Sequence, residues 1–310
     1  MKAIMYHYVR EFHKGYPLFR YLDIKNFRKQ LDFFQDVFSF LSKEEWLRCV
    51  KTRDKEIIES NKIILTFDDA MSCHFDFVFP ELVKRNLWGV FYVPVQPYLN
   101  KKLLDVHKVH LLTGMTTGED LLELAEKKLS IKMIKEELRD EFKKTTYLDQ
   151  QNYKGVSEFK RLFNYFIDYD YRTSLLDEIG SEVGMEFDVS TFYVTADQLT
   201  VMNKQGMVIG SHTVTHPVLS RLNYDEQKYE IEHSFALIEN MVGKLEQKTF
   251  CFPYGGQNTY NLDTMKLLQK NDVKYSFAVE NRDIVFDDIE NRIHALPRYD
   301  CNFFPFGAAS

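Results

Sequence analysis

The sequence predicts an α/β protein, a parallel sheet or barrel that carries a mainly helical insertion. Short apolar runs alternate with helical patterns at close spacing over the first 95 residues. The strand pattern resumes near residue 191 and continues to about 300. Between these stretches the composition shifts to Lys, Glu, Leu and Tyr with helical periodicity, and no proline occurs between Pro97 and Pro217. Strand, helix, strand with short links is the pattern of a parallel sheet.

"AIMYHYV" (3–9) reads as the first strand. "DIKNFRKQLDFFQDVFSFL" (23–41) places apolar residues at 24, 27, 31, 34, 37, 38 and 41, a helical spacing, with Asp23 as N-cap. "KIILTF" (62–67) is a second strand, "FDFVFPELVKRNL" (75–87) a helix entered through Pro80, and "GVFYVPV" (89–95) a third strand. Helical periodicity is clearest in "GEDLLELAEKKLSIKMIKEEL" (118–138). "TFYVTADQL" (191–199), "GMVIGSH" (206–212), "KTFCFPYG" (248–255) and "VKYSFAVE" (273–280) read as the later strands, and "NRIHALPRYD" (291–300) closes the series. The expected organisation is a discontinuous barrel, 1–96 and 191–310, with 97–190 as a helical insertion or cap.

Composition narrows the class. A net charge of −6 disfavours a nucleic-acid surface. Cys49, Cys73, Cys251 and Cys301 are widely spaced and form no CxxC pair, which argues against a disulfide framework and suits a reducing compartment. The N-terminal stretch has no long apolar h-region, and no run of about 18 apolar residues marks a membrane span. These features lead to the expectation of a cytoplasmic protein. The aromatic stretches 163–171 and 301–307 are candidates for core, for a subunit contact, or for peripheral contact with a membrane face.

Three polar motifs stand at predicted strand ends: "TFDD" (66–69), "SHTVTH" (211–216) and "FPYG" (252–255). The C-terminal ends of parallel strands are where functional residues collect. His212 and His216 are four apart, so a single turn or tight bend faces both imidazoles the same way. Two imidazoles and one carboxylate suit a divalent cation with positions left for water. Each motif alone has an ordinary reading. Adjacent acids cap helices, histidines pair by chance at this spacing, and Pro-Tyr-Gly is a turn. Their conjunction and order point further.

"TFDDA", "SHTVTH" and "FPYGG" resemble the first three motifs of the polysaccharide deacetylase (NodB-homology, carbohydrate esterase family 4-like) group, and "YHYV" and "LPRYD" resemble other stretches common there. The match covers 1–95 and 191–300. The resemblance implies a distorted (β/α) barrel of the NodB-homology type and a metal-dependent hydrolase that removes an acetyl group from an N-acetylated sugar or glycan precursor in surface polysaccharide biosynthesis. It implies Asp69, His212 and His216 as metal ligands and Asp68 as general base. Pro253, Tyr254 and Gly255 would form a substrate-binding wall, with a backbone N–H near Tyr254 on the oxyanion. The metal expected first is Zn2+, with Co2+, Ni2+ or Mn2+ compatible with the same ligands. The partner expected is an N-acetylated saccharide.

Three departures bear on the site. Ala70 stands where the best-known branch has Gly, which matters if the position needs φ > 0. Cys251 stands where that branch has an Arg that orients the base. The amine's proton donor is expected from the last motif, where His294 is a candidate and Arg298 is placed to orient a carboxylate. His7, at a strand end, is a further group able to face the metal, while His107 and His110 lie in the insertion. Two other functions are weighed: hydrolysis of another non-peptide amide on the same site, and a non-catalytic binding module on the same barrel.

Overall fold

The computed structural model describes residues 1–134, 138 and 155–309. The chain forms two compact units, one of Met1–Glu11, Tyr21–Asn100 and Ser190–Ser310, the other of Phe12–Arg20 and Lys101–Val189.

The first unit is built on parallel strands. In chain order they are β1 (Lys2–Tyr6), β2 (Val9–Arg10), β3 (Leu22–Asp23), β4 (Ile63–Phe67), β5 (Val90–Val93), β6 (Val208–Ser211), β7 (Lys248–Cys251), β8 (Val273–Phe277) and β9 (Tyr299–Asp300). Seven of them form one sheet in the order β8-β7-β6-β5-β4-β1-β9, and β2 pairs with β3. Every residue of β4, β5 and β6 is buried, as expected of parallel strands covered on both faces. The two edges meet on the last segment, where Leu296 bridges Phe277 of β8 while Tyr299 pairs with Ile4 of β1. The sheet therefore curls into the distorted (β/α) barrel that the motifs imply.

Strand alternation separates two faces. Ile63, Leu65 and Phe67 of β4 pack with Phe91, Ile209 and Phe250 and with the helix residues Phe27, Leu31 and Phe34. Ile64 joins Val90, Tyr92, Val208, Cys251, Tyr275 and Phe277 on the other face, together with Trp46. Asp68 continues this second set, two residues beyond Thr66, and the same phase runs from Val208 through Gly210 to His212. Gly210 is needed there, because a Cβ would lie 2.6 Å from the Tyr92 ring and 2.8 Å from Thr249 Cγ2.

Helix Ile24–Val37 begins at Asp23, whose carboxylate accepts from the Lys25 N–H, as the sequence predicts. The expected helix 75–87 is a π-helical turn, His74–Val78, running into Phe79–Lys84 with Pro80 in the first turn. The expected strand 191–199 is a correction. Only Tyr193 bridges, antiparallel to Met71, and Ala196–Lys204 is a helix. Its N-terminus is set by a capping box in which Thr195 and Gln198 satisfy each other's backbone N–H, and that local signal outweighs the alternation of apolar residues before it.

In the second unit lie helices Asp105–Met115, Gly118–Lys128, Val156–Arg161 and Tyr169–Glu182. Leu112, Leu121, Ala125, Phe159, Phe163, Leu176 and Ile179 are buried there. Lys108 and Arg172 are also buried, bonded to Asp177 at 2.6 Å and Asp105 at 3.0 Å. The helical pattern at 118–138 ends as an α-helix at Lys128, with a 3-10 turn at Ile131–Met133. Residues 135–137 of that expectation lie outside the described residues. The aromatic stretch 163–171 contributes Phe163 and Phe166 to the buried set, whereas Phe303 and Phe306 of the 301–307 stretch are exposed. Among the described residues no helix is long and apolar enough to cross a membrane.

The packing around Gly210 gives a direct check. Gly210→Ala forces a methyl into Tyr92 and Thr249, and overpacking of this kind costs about 1–3 kcal/mol. A lower urea midpoint than wild type is the expected result, and an unchanged midpoint would refute the close approach.

Candidate active site and metal centre

TFDD, SHTVTH and FPYG span the C-terminal ends of β4 and β6 and the loops that leave β4, β6 and β7. The first loop separates its two acids by backbone conformation. Asp68 keeps the strand phase, and its N–H donates to the Tyr6 carbonyl at 3.0 Å, so its carboxylate follows Thr66 into the interior. Asp69 turns out of the strand at φ 78°, and Ala70 follows at φ 49°. The position that Gly fills elsewhere does require positive φ, and here an L-residue is held there while buried.

Asp68 is 2 % exposed and meets Arg298, which is fully buried. The pair is bidentate, Nη1 to Oδ1 and Nη2 to Oδ2, both 2.8 Å. The guanidinium also donates to Thr66 Oγ1 at 3.0 Å and to Cys251 Sγ at 2.9 Å. Cys251 and Arg298 thus stand together beside Asp68, and the arginine arrives from the last motif rather than from the loop after β7. Burial alone would raise the Asp68 pKa, but the adjacent guanidinium outweighs it and holds the carboxyl down at about 2. Burial works equally against the charge of Arg298, and Asp68 more than restores it.

The second loop carries two imidazoles that face Asp69. His212 Nε2 and His216 Nε2 each lie 3.5 Å from Asp69 Oδ1. The three ligand atoms lie within 4.8 Å of one another, and all three residues are buried. A distance of 3.5 Å is long for a hydrogen bond. It is close to the roughly 3.3 Å between ligand atoms that a tetrahedral ion with bonds of about 2.0–2.2 Å imposes. His212 Nδ1 lies 2.8 Å from the Cys251 carbonyl. It must donate there, which leaves the Nε2 lone pair for a metal, the usual outer support of a ligating imidazole. Burial pushes the His212 pKa down despite the pull of Asp68 and Asp69, favouring the neutral ligand form. The residues present therefore fit a divalent ion. A second grouping, Asp68, His212 and Cys251, also has ligand spacing, but Arg298 already occupies Asp68 and Cys251 with positive charge.

The third loop packs on the second. The Tyr254 ring meets the His216 ring edge-on, with centroids 4.9 Å apart. Tyr254 and Gly255 are both left-handed, at φ 63° and 70°, and a Cβ on Gly255 would lie 2.4 Å from Val279 Cγ2. Pro253 is buried beside them.

The last motif divides. Arg298 reaches Asp68. His294 lies two residues before the Leu296 bridge, half-buried, and no hydrogen bond or ion pair joins it to Asp68, Asp69, His212 or His216; burial lowers its pKa. His7 follows Tyr6, which pairs with Phe67, so its backbone stands level with Asp68 across the ladder. Its carbonyl lies 2.6 Å from Nε2 of the buried His74. His107 and His110 belong to the second unit.

One residue with no signal among the motifs is Glu230, on helix Tyr224–Val242. Its carboxylate is 5 % exposed and accepts from the Val214 and Thr215 N–H groups at 2.7 and 2.8 Å. It lies in the stripe 227, 230, 231, 234, 235 and 238 that faces the core. A Glu on an apolar stripe is the sequence signal that could have singled it out.

Residues 174–279 match the family model described as Polysaccharide deacetylase, a span that includes SHTVTH and FPYG but not TFDD. Among solved structures, the Streptococcus pyogenes deacetylase PplD in complex with acetate is 16 % identical, with a TM-score of 0.58 over 97 % of this chain and 91 % of that one. IcaB from Ammonifex degensii is 15 % identical, with a TM-score of 0.56 over 96 % and 90 %. A de-N-acetylase from Aggregatibacter actinomycetemcomitans is 12 % identical, with a TM-score of 0.52 over 96 % and 93 %. These likenesses show the shared fold. No curated protein matches in sequence. The resemblance to the polysaccharide deacetylase family read from the motifs therefore holds.

The Asp68–Arg298 pair makes a pH prediction for chelator-treated protein. The folded-state pKa of Asp68, about 2, lies below the unfolded value of about 3.9. Its contribution to stability is therefore complete above about pH 4 and is lost as pH falls toward 2. Arg298→Met leaves the carboxylate buried and unpaired, at a cost of about 3–5 kcal/mol at pH 7. Urea unfolding of Arg298→Met and of Asp68→Asn/Arg298→Met should show the double variant recovering part of that loss. A single variant as stable as wild type would contradict the pair's role.

Proposed function

We propose that this chain, with its family's fold and motifs, is a metal-dependent hydrolase that removes acetyl groups from N-acetylated saccharides. The observation that carries the reading is the convergence of Asp69, His212 and His216 next to an acid held ionised by Arg298. Asp69, His212 and His216 would hold the ion. When bound, a divalent ion lowers the pKa of water and polarises the acetyl carbonyl.

The chain's own residues supply the rest. Asp68 accepts the proton of the attacking water, and Arg298 keeps that carboxylate charged and aimed. Water adds to the acetyl carbonyl carbon, and the C–N bond breaks to leave acetate and a free amine. In this reading the proton that the amine needs comes from His7, which the register of β1 on β4 sets level with Asp68, or from His294 of the last motif. The backbone N–H of Tyr254 supports the developing oxyanion, while Pro253, Tyr254 and Gly255 line the saccharide. The structural neighbours, a deacetylase seen with acetate and a de-N-acetylase, favour the same reaction class.

The test is acetate release with added Zn2+ or Co2+ from a chito-oligosaccharide, UDP-GlcNAc and lipid-linked GlcNAc. Wild type should release acetate from at least one of them. Asp68→Asn and His212→Ala should each lose about 100-fold or more in kcat/KM, the scale of losing a positioned acid–base group or the site's metal. Of His7→Ala and His294→Ala, the variant that loses more marks the proton donor. A wild type that binds metal but releases no acetate from any of the three would defeat the saccharide reading and move the amide and binding-module readings ahead.

A further inference from the structure

The SHTVTH loop holds its two imidazoles in a conformation that the chain does not favour. Thr213 and His216 have positive φ, 70° and 59°, a region disfavoured for residues with a Cβ. Something outside the loop must therefore over-determine it. Thr213 Oγ1 accepts from the His216 N–H at 3.0 Å, but that bond lies within the loop.

The outside hold comes from helix Tyr224–Val242. Glu230 Oε2 accepts both the Val214 and Thr215 N–H groups, and Oε1 accepts the Thr215 hydroxyl at 2.7 Å. One turn on, Ser234 takes the other side of His212. The Ser234 hydroxyl donates to the Ile231 carbonyl at 2.8 Å, so the Ser211 hydroxyl donates to Ser234 Oγ at 2.5 Å. Ser211 Oγ then accepts the Thr213 N–H at 3.3 Å. Glu230 and Ser234 are four apart on one helix face. Together they grip the backbone between the two imidazoles and just before the first.

We infer that Glu230 is a positioning residue that sets the separation of the His212 and His216 imidazoles and thereby the affinity of the site for a divalent cation. The inference rests on the metal site proposed above. No described lysine, arginine or histidine forms an ion pair with Glu230. Its partners are backbone N–H groups and a hydroxyl, the contacts of a clamp on loop geometry. The hydrogen bonds, not the charge, do the positioning. Gln can reproduce all three contacts, with its carbonyl oxygen accepting the two N–H groups and its amide donating to the Thr215 hydroxyl.

The test is Zn2+ affinity by chelator competition, with the visible spectrum of the Co2+-loaded protein as a second readout. Loss of an outer-shell support typically weakens metal affinity 10–100-fold. Glu230→Ala should fall in that range and alter the Co2+ spectrum. Glu230→Gln should stay within about 1.5-fold of wild type, the conservative rescue. Thr215→Val, which removes one contact, is the milder variant if Glu230→Ala does not fold, and should weaken binding about threefold. Wild-type affinity in a folded Glu230→Ala or in Thr215→Val overturns the inference, as does a Glu230→Gln loss equal to that of Glu230→Ala. Those results leave the proposed deacetylase standing. A wild type that binds no Zn2+ instead fails the metal site itself, and this inference with it.

Discussion

The site depends on the buried ion pair between Asp68 and Arg298. Arg298 comes from the segment that pairs with β8 at Leu296 and leads into β9, while Asp68 directly follows β4 and Cys251 ends β7. One guanidinium thus ties three strand ends together inside the barrel. A buried pair is weak evidence for stability, since desolvation offsets much of the attraction. What it supplies is orientation. Both carboxylate oxygens of Asp68 are fixed at 2.8 Å, and Asp69 is the acid that turns toward the imidazoles.

Around that anchor, the three loops share one structural habit. Asp69, Ala70, Thr213, His216 and Tyr254 are all L-residues at positive φ, each costing on the order of 1 kcal/mol or more. Such strain persists only where neighbours over-determine it. Glu230 and Ser234 hold the second loop, the Tyr254 ring against His216 ties the third loop to it, and the N–H groups of Ser72 and Val194 tie the stretches 70–72 and 192–194 together. Strain gathered on these three loops is what a preorganised site requires, since each side chain is then placed before any ligand arrives.

Much of this was legible in the sequence because it is local. Apolar runs place β4, β5 and β6, Asp23 marks a helix start, and the motifs fall at strand ends. The i, i+4 spacing of His212 and His216 does bring both to Asp69. What was not legible is what strand pairing and helix packing bring together across long separations. Arg298 is a candidate to orient a carboxylate from its motif alone, but that its partner is Asp68, 230 residues away and beside Cys251, emerges only from the fold. Glu230 carries only the weak signal of a glutamate on the core-facing stripe of its helix, and its partners on the SHTVTH loop emerge only when that helix is packed. Position in the last motif singles out His294, while the register of β1 on β4, which also sets His7 level with Asp68, comes only from strand pairing. The strand expected at 191–199 rests on the alternation of Phe192 and Val194, which masks the Thr195–Gln198 capping box.

The central claim is a division of labour between two adjacent carboxylates, and metal stoichiometry after dialysis tests it most directly. Asp68→Asn should retain about one Zn2+ per chain at near-wild-type affinity while releasing no acetate, because Asp68 faces Arg298. Asp69→Asn should retain none, because its carboxylate completes the ligand set. Loss of metal from Asp68→Asn with retention by Asp69→Asn would contradict the account and reverse the two roles.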